Sequence, residues 1–295
     1  MSTEIIFDKM VGAGNDFLII DMLRSTSASL RRAWPRIASA MCDRRYGIGA
    51  DGLLVLEPSR AADARMRVFN ADGSEAEMCG NGARCVARYL GNALKARAKS
   101  GRNGHVRLET ESGVLTATLA GTRVRITMVD PSEIQLRQTV EVDGRRIEFG
   151  FANTGVPHVV VAVPSVDDVD VDSLGRALRR HAAFVPRGAN VNFIEPVRGQ
   201  ANRLKIRTYE RGVEGETLAC GTGVTASAVI HALRRGATPG RPTRIELETR
   251  SGEVLTVGLT VEAAGEPPRV THVTLEGTAQ WICQGRFAWP RRDRR

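Results

Sequence analysis

The sequence is poor in aromatic residues and contains no long apolar run. Aromatic residues make up only 5% of its 295 residues, and no apolar segment approaches the roughly 20 residues needed to span a bilayer. The first ten residues include acidic side chains and lack an apolar core of signal-peptide length. We therefore expect no membrane partner and a cytoplasmic location.

Cysteine is also scarce, and its distribution excludes a disulfide framework. Small disulfide-stapled domains carry an even number of cysteines in a short secreted chain. This long chain has an odd number, spread over Cys42, Cys79, Cys85, Cys220 and Cys283. We expect all five to be reduced thiols.

Acidic residues are outnumbered by basic ones, which gives a formal net charge of +9. A nucleic-acid site requires clustered basic residues interleaved with aromatic ones. The basic residues here are spread along the chain, except for a short tail at 290–295. We therefore expect no nucleic-acid partner and interpret the tail as solvated. The remaining composition, 42% hydrophobic and 25% charged, is that of a globular protein, and the length favours two domains.

An internal repeat organises the chain. The segment LETESG at 108–113 recurs as LETRSG at 247–252, which is 139 residues later. Independently, MCGNG at 78–82 recurs as ACGTG at 219–223, which is 141 residues later. The shared spacing of two separate segments indicates a duplicated unit.

Each copy has the same predicted order of elements. Alternating apolar residues at 65–69 and 204–209 predict a strand before each cysteine motif. Apolar residues at helical spacing predict a helix after each motif, with Val86, Tyr89, Leu90, Ala93 and Leu94 in the first copy and Ala226, Val229, Ile230 and Leu233 in the second. Further strands are predicted at 124–129 and 254–261.

These patterns predict an α+β fold of two pseudo-symmetric halves, each a curved, antiparallel-rich sheet wrapped around a central helix. We assign residues 1–129 with 277–295 to the N-terminal half and 130–276 to the C-terminal half, with the boundary near Asp130-Pro131. Periodicity leaves open to which half the strand predicted at 270–275 belongs.

Cys79 and Cys220 are the candidate catalytic residues. A thiol at the start of a helix lies near unpaired backbone N–H groups and the positive end of the helix dipole, which favour the thiolate. The flanking glycines let backbone donors approach a bound anion such as an amino-acid carboxylate. Two such sites related by a pseudo-twofold predict one sulfur on each face of an α-carbon, which is what stereoinversion by proton transfer requires.

The remaining signals favour structural roles. Cys42, Cys85 and Cys283 have no counterpart in the other half, so we interpret them as structural. The segment GIGADG at 47–52 matches a dinucleotide-binding pattern, but an apolar strand predicted at 53–56 follows it instead of a helix, so we interpret it as a turn. Without a pyridoxal-lysine or metal signature, we expect no cofactor and no metal.

The sequence resembles the diaminopimelate epimerase family over nearly its full length. The resemblance rests on five segments: GAGNDF at 12–17, FNADGSEAEMCGNGARC at 69–85, GVPH at 155–158, RGAN at 187–190 and YERGVEGETLACGTG at 209–223. It implies a pyridoxal-independent isomerase that converts LL- to meso-diaminopimelate on the route to lysine and cell-wall precursors. It also implies a homodimer whose ligand is this small molecule.

The resemblance assigns further residues to the site. Cys79 and Cys220 become the acid–base pair, and His158 and Glu210 tune the two thiols. Arg211 suits a carboxylate clamp, because its guanidinium can form two parallel bonds to a carboxylate. The implied substrate-binding residues are Asn15, Asn70, Gly80, Asn81, Asn190, Glu210, Arg211, Gly221 and Thr222, with Gly80-Asn81 and Gly221-Thr222 acting through backbone donors.

The sequence departs from the family pattern at Gly52 and Val156, where some members have glutamine and asparagine that contact the substrate. Neither side chain here can form a hydrogen bond, and Asn153 could substitute for the second.

Two other functions are alternatives to this one. A proline or hydroxyproline racemase of the same fold typically has histidine after its first Cys-Gly, whereas Asn81 stands here. A non-catalytic module that docks an acidic partner through the basic tail would not need two cysteines.

Overall fold

The computed structural model describes residues 2–24, 28–97, 104–262 and 269–290. These residues form two compact units, one ending at Ile126 and resuming at Thr278, the other running from Thr127 to Gly277. Residues 291–295 of the predicted basic tail lie outside the described residues. No helix in the described ranges is long and apolar enough to cross a membrane.

The first unit has the following elements, in chain order: β1 (Ser2–Gly12), β2 (Asn15–Asp21), α1 (Ala28–Arg31), α2 (Trp34–Cys42), β3 (Gly52–Glu57), β4 (Ala64–Asn70), β5 (Glu75–Ala76), α3 (Gly80–Arg97), β6 (His105–Thr110), β7 (Gly113–Ala120), β8 (Arg123–Thr127) and, from the end of the chain, β18 (Gln280–Pro290). Strand β1 lies between β18 and β2, antiparallel to both. The sheet continues through parallel β2–β3, antiparallel β3–β4 and parallel β4–β6 pairs. Antiparallel β6–β7 and β7–β8 pairs complete it.

The second unit repeats this plan. Its elements are β9 (Ser132–Val142), β10 (Arg145–Asn153), β11 (Pro157–Ala162), α4 (Val171–Arg179), a short 3-10 helix (Ala182–Phe184), β12 (Asn190–Pro196), β13 (Arg203–Glu210), β14 (Gly215–Thr217), α5 (Gly221–Arg234), β15 (Pro242–Glu248), β16 (Val254–Val261) and β17 (Val270–Thr278). Antiparallel pairing joins β9 to β10 and β10 to β11. Parallel β11–β12 and β13–β15 pairs alternate with antiparallel β12–β13 and β15–β16 pairs, and β17 follows β16. The parallel pairs fall at the same two places as in the first unit.

Each sheet surrounds one helix. In the first unit α3 packs against β1, β2, β4, β6, β7 and β18; in the second, α5 packs against β9, β10, β11, β12, β15 and β16. Helix α5 is buried on all sides along most of its length, as expected of a helix enclosed by a sheet. The predicted α+β fold of two similar halves, each with a central helix, is confirmed.

In each unit, the α-helix that precedes the central helix in the chain covers the outer face of the sheet. Helix α2 packs against β3 and β4, with Trp34, Ile37 and Met41 fully buried. Its counterpart α4 packs against β12, β13 and β14, and the Asp170 carboxylate caps it by accepting a hydrogen bond from Ser173 N. This packing fixes β4 and β13, which lead to the cysteines.

Most predicted elements are confirmed. The strands predicted at 65–69 and 204–209 are β4 and β13, and those at 254–261 and 270–275 are β16 and part of β17. The strand predicted at 124–129 ends at Thr127, so its last two residues were wrongly included. In α3, Val86 and Leu90 are buried and Tyr89 is half-buried, whereas the side chains predicted at 93 and 94 lie outside the described side chains.

Candidate functional site

Cys79 occupies the N-cap position of the central helix α3. The chain reaches it from β4 and the short strand β5, and the helix begins at Gly80. Gly82 N lies 3.4 Å from Cys79 Sγ and donates to it, so the sulfur accepts one of the N–H groups that have no partner within the helix. Cys79 is only half-buried. Its sulfur is therefore bonded from the helix side and remains partly accessible.

Cys220 occupies the same position before α5, but its contacts differ. Its backbone is extended, with φ −112° and ψ 110°, and the helix begins at Gly221. One neighbour of its sulfur is the Thr222 hydroxyl, with Sγ and Oγ1 3.4 Å apart. Cys220 is buried, with 7% of its surface exposed. The two cysteines thus share a position in the fold, with a backbone amide beside the first sulfur and a hydroxyl beside the second.

The predicted amides of the first unit divide into two groups. Asn81 Nδ2 donates to Asn15 Oδ1 at 2.6 Å, which joins the end of the β1–β2 turn to the start of α3. Asn70 lies exposed at the end of β4, where its Nδ2 donates to Ser74 Oγ at 2.9 Å. The structure thus brings Asn15 and Asn81 into direct contact near Cys79 and records no hydrogen bond from Asn70 to either, within the ranges described.

The predicted polar residues of the second unit also converge. Buried Asn190 accepts a hydrogen bond from Arg211 N at 2.8 Å and donates one from Nδ2 to Pro157 O at 3.3 Å. His158, the next residue, pairs in register with Asn190 across the parallel strands β11 and β12. Arg211 Nη1 donates to Arg187 O at 3.0 Å. Asn190 therefore ties the Arg211 turn to the start of β11.

His158 is completely buried and held by Asn192. Asn192 Nδ2 lies 3.2 Å from His158 Nδ1 and also donates to Val159 O at 3.0 Å, so this nitrogen is the donor and Nδ1 the acceptor. Burial lowers the pKa of His158 to about 3, and the charge of Arg211 contributes in the same direction. His158 is therefore neutral near pH 7, with its proton on Nε2. Within the described part of the chain, Nε2 has no hydrogen-bond partner.

Glu210 ends β13, and burial raises the pKa of its carboxyl above the usual range. It pairs with Gly215 across the turn that leads into β14. A neutral imidazole and a carboxyl with raised pKa are thus present in the same unit as Cys220. Perturbed titration of this kind is common at catalytic sites.

The two departures from the family pattern have different surroundings. A Cβ on Gly52 would lie 2.9 Å from Phe69 O, so the backbone leaves no room for a side chain there. Val156 is half-buried in the turn before β11. Asn153 donates from Nδ2 to Glu133 Oε1 at 2.9 Å and accepts from Gly155 N at 3.1 Å. Both the nitrogen and the oxygen of its amide thus already take part in hydrogen bonds, one to Glu133 and one within the turn.

The segments interpreted as structural are ordinary parts of the fold. Cys42 and Cys85 are buried in α2 and α3, while Cys283 lies exposed on β18. The strand predicted after the 47–52 segment is β3, so the interpretation of that segment as a turn is confirmed. Within the described ranges, no cluster of His, Cys, Asp or Glu has the arrangement of a metal site.

Sequence reasoning missed three residues that hold the predicted ones. Asn192 fixes His158; it lies two residues after Asn190, on the same face of β12, and this spacing was the available signal. Fully buried Arg84 bonds Asn81, and Asp51 bonds Asn15. Nothing in the local sequence distinguishes these two from surface charges.

Comparison with known proteins places this geometry in a family. The family model described as diaminopimelate epimerase matches residues 7–134 and 150–280. A diaminopimelate epimerase of Aquifex aeolicus is 39% identical over 290 residues, covering 96% of this chain and 97% of the relative. One from Archaeoglobus fulgidus is 42% identical over 274 residues, covering 88% and 91%.

Solved structures support the same two-repeat fold at low identity. A probable proline racemase from Agrobacterium radiobacter K84 superposes with a TM-score of 0.69 at 19% identity, covering 96% of this chain and 93% of the other. A phenazine biosynthesis protein of the PhzF family from Bacillus anthracis gives 0.68 at 17% identity, covering 97% and 99%. These likenesses concern the fold alone, whereas the sequence matches are specific: the chain belongs to the diaminopimelate epimerase family.

Proposed function

We propose that the chain interconverts LL- and meso-diaminopimelate by two-base proton transfer, with Cys79 and Cys220 as the two bases. The observation that carries the proposal is the placement of one cysteine at the N-cap of the central helix in each repeat. One thiolate removes the α-proton while the other sulfur, as a thiol, protonates the opposite face. The reverse reaction exchanges their roles.

The reacting carboxylate binds at the two helix starts. The backbone N–H groups of Gly80-Asn81 and Gly221-Thr222 lie in the first turns of α3 and α5, where N–H groups have no partner within the helix. Negative charge that develops on the carbanion is stabilised by the same donors. No lysine-bound cofactor is needed in this scheme.

The non-reacting end of the substrate is held by Arg211, Asn190, Asn15 and Asn70. Arg211 supplies a guanidinium for the distal carboxylate, and the bond from its backbone N–H to Asn190 supports this assignment, because it fixes the turn that carries the guanidinium. Backbone and amide oxygens near Glu210 accept from the distal ammonium. The proposal predicts that Arg211→Lys raises KM, because a lysine cannot form two parallel bonds to a carboxylate.

His158 and Glu210 tune the reacting groups in the second unit. His158 acts as a neutral Nε2–H donor rather than as a cation, because burial and the Arg211 charge lower its pKa to about 3. Glu210, whose pKa is raised by burial, is more readily protonated than an exposed carboxyl.

Isotope exchange tests the reaction. With LL-diaminopimelate in D₂O, we expect deuterium at the inverted α-carbon of the product and no exchange into L-proline. Cys79→Ala and Cys220→Ala should each abolish inversion while the fold survives, whereas Cys283→Ala, the exposed control, should retain it. Near-full inversion by either active-site variant, or exchange into proline alone, contradicts the proposal.

Oxidation tests whether the two sulfurs face the same α-carbon. If they do, an added oxidant such as diamide should join them in a disulfide, with loss of two protons and two electrons, and dithiothreitol should restore activity. The Cys283→Ala variant should respond in the same way. Activity that is indifferent to diamide contradicts the facing arrangement.

The cellular setting and assembly belong to the same proposal. We place the enzyme in the cytoplasm, on the route to lysine and peptidoglycan precursors, because its cysteine usage is that of a reduced compartment. We assign the two halves to residues 1–129 with 277–295 and 130–276, and the assembly to a homodimer. Light scattering after size exclusion, at the concentration used for assays, should give twice the mass of one chain.

A further inference from the structure

A chain of four side chains connects the interior of the first unit to its surface. Arg84 Nη2 donates to Asn81 Oδ1 at 2.8 Å, and Asn81 Nδ2 donates to Asn15 Oδ1 at 2.6 Å. Asn15 Nδ2 then donates to Asp51 Oδ2 at 2.9 Å. Arg84 is fully buried, whereas Asp51 is exposed.

The two ends of this chain determine the orientation of both amides. A guanidinium can only donate and a carboxylate can only accept. Asn81 must therefore turn its oxygen to Arg84, which leaves its nitrogen for Asn15, and Asn15 must turn its nitrogen to Asp51. Flipping either amide would place two donors or two acceptors against each other.

Asn15 has one further N–H, for which the described residues provide no acceptor. Its oxygen is occupied by Asn81 and its first N–H by Asp51, and the side chain is only half-buried. The group that Asn15 offers to a ligand is consequently a hydrogen-bond donor. A carboxylate fits this donor, and an ammonium group does not.

The second unit lacks the relay although its helix begins in the same way. The residues 141 positions after Asn15, Asn81 and Arg84 are Val156, Thr222 and Thr225. The Thr225 hydroxyl donates to Gly221 O at 2.9 Å within its own helix. Because α5 closes this turn with a threonine, the fold itself does not require an arginine at the corresponding place in α3.

Arg84 also reaches the helix start directly. Its Nη1 lies 3.5 Å from Gly80 O, in the turn that follows Cys79. We propose that Arg84 is a positioning residue: it fixes the amides of Asn81 and Asn15 so that Asn15 donates an N–H to a substrate carboxylate. This rests on the proposed function, in which Asn15 holds the substrate. It adds that Asn15 is the donor in that hydrogen bond and that Arg84 orients it.

Removing Arg84 tests the relay from its buried end. Arg84→Met should raise KM for LL-diaminopimelate about tenfold, since a charged hydrogen bond no longer holds the amides, and should change kcat less. Arg84→Lys, which keeps a charged donor, should recover part of the loss. Arg234→Met is the matched control: it removes a largely buried guanidinium of the other central helix, which donates to Leu136 O, and should leave KM unchanged.

Asp51 tests the relay from its exposed end and covers the case in which Arg84→Met fails to fold. Asp51→Ala should raise KM, whereas Asp43→Ala should not, because within the described residues the Asp43 carboxylate accepts hydrogen bonds from the backbone N–H groups of Arg45 and Tyr46 alone. Combined with Arg84→Lys, Asp51→Ala should raise KM by less than the product of the two separate effects, because both act through the same amides.

The charge of residue 15 tests the direction of the bond. If Asn15 donates to a carboxylate, Asn15→Asp should raise KM more than Asn15→Ala, even when Asp51→Asn is added to remove the repulsion between the two carboxylates. An Asn15→Asp variant that binds as well as Asn15→Ala, or a folded Arg84→Met with unchanged KM, overturns the positioning proposal. Neither outcome affects the cysteine mechanism, which is tested separately by the activity of the Cys79→Ala and Cys220→Ala variants.

Discussion

Asn192 fixes the tautomer of His158. The amide nitrogen of Asn192 lies 3.2 Å from His158 Nδ1 and donates to Val159 O, while its oxygen accepts a hydrogen bond from Thr208 Oγ1 at 3.0 Å. The amide therefore cannot turn its oxygen to the ring. His158 is a neutral ring with a protonated Nε2, enclosed on all sides by protein.

This burial predicts an acid-sensitive fold. His158 has a pKa of about 3 in the folded chain, against about 6.5 when unfolded, so the unfolded state binds more protons between these values and stability falls as pH falls. Between pH 7.5 and pH 5.0 this group should remove about 2 kcal/mol from the free energy of unfolding, since each pH unit below 6.5 contributes about 1.4 kcal/mol. Glu210, with its raised pKa, acts in the opposite direction.

Urea denaturation of variants at the two pH values isolates the contribution of His158. Between pH 7.5 and pH 5.0, the free energy of unfolding of His158→Gln should fall by about 2 kcal/mol less than that of the parent. His105→Gln, on an exposed histidine, should keep the loss of the parent. If the free energy of unfolding of His158→Gln falls as much as that of the parent, the ring takes up its proton in the folded state.

Gly223 and Gly82 stand at the same position in the two helices but differ in the space around them. A Cβ on Gly223 would lie 2.2 Å from Asn192 Oδ1, whereas the atoms nearest to one on Gly82 would be the flexible Leu54 methyl groups at 3.1 and 3.2 Å and Cys79 Cβ at 3.6 Å. Gly223→Ala should therefore lower the free energy of unfolding by about 2 kcal/mol. It should also lower kcat, because Asn192 holds His158.

Gly82→Ala is the matched comparison. The helix propensity gained by replacing glycine, about 1 kcal/mol, offsets the mild crowding against Leu54. Its free energy of unfolding should stay within about 1 kcal/mol of the parent. Equal losses in the two variants would mean that the Asn192 contact does not restrict the second helix.

The sequence predicts the fold well because its main signals are periodic. Alternation predicted β4, β13 and β16, and the repeated Cys-Gly-x-Gly motif located the starts of α3 and α5. In a half-buried strand, apolar residues such as Val68 and Ile206 alternate with polar ones. The strand can therefore be predicted from a few neighbouring residues alone. The end of β8 was misplaced because apolar Met128 continues the alternation of Val124 and Ile126 after the strand has ended.

The supporting residues could not be predicted in this way. Charged side chains are almost never fully buried unless they are paired, yet Arg84 is fully buried, and Asn81, 3 residues away in the helix, accepts its hydrogen bond. Asp51 and Asn15 are 36 residues apart in the chain. Such contacts depend on the path of the backbone between them, which no local pattern encodes.

One ion pair occurs in both repeats, with different exposure. Arg207 Nε and Nη2 donate to the two oxygens of Glu216 at 2.6 and 2.7 Å, and Arg67 donates likewise to Glu75 at 2.7 and 2.8 Å. The side chains of the first pair are 14% and 19% exposed, those of the second 21% and 36%. Solvent screens the second pair more, so we expect the weaker coupling there.

Double-mutant cycles with alanine measure the difference. The Arg207–Glu216 coupling should be about 1–2 kcal/mol, and the Arg67–Glu75 coupling below about 1 kcal/mol. In 1 M NaCl the second coupling should fall by the larger fraction. A coupling between Arg67 and Glu75 that equals the other at low and high salt would show that exposure does not control these pairs.

Gly52 tests whether the glutamine found in some family members can be restored. A Cβ at this position would lie 2.9 Å from Phe69 O, which belongs to the paired strand β4 and cannot move alone. Gly52→Gln should therefore lower the free energy of unfolding by about 1–3 kcal/mol and should not lower KM.

Gly215→Gln is the control, because the atom nearest to its added Cβ, Asp172 Oδ1, would lie 3.9 Å away. It should change the free energy of unfolding by less than about 0.5 kcal/mol. Thermal unfolding and KM measured on both variants decide the matter: a Gly52→Gln enzyme with parental stability and a lower KM would mean that β3 and β4 can separate to admit the side chain.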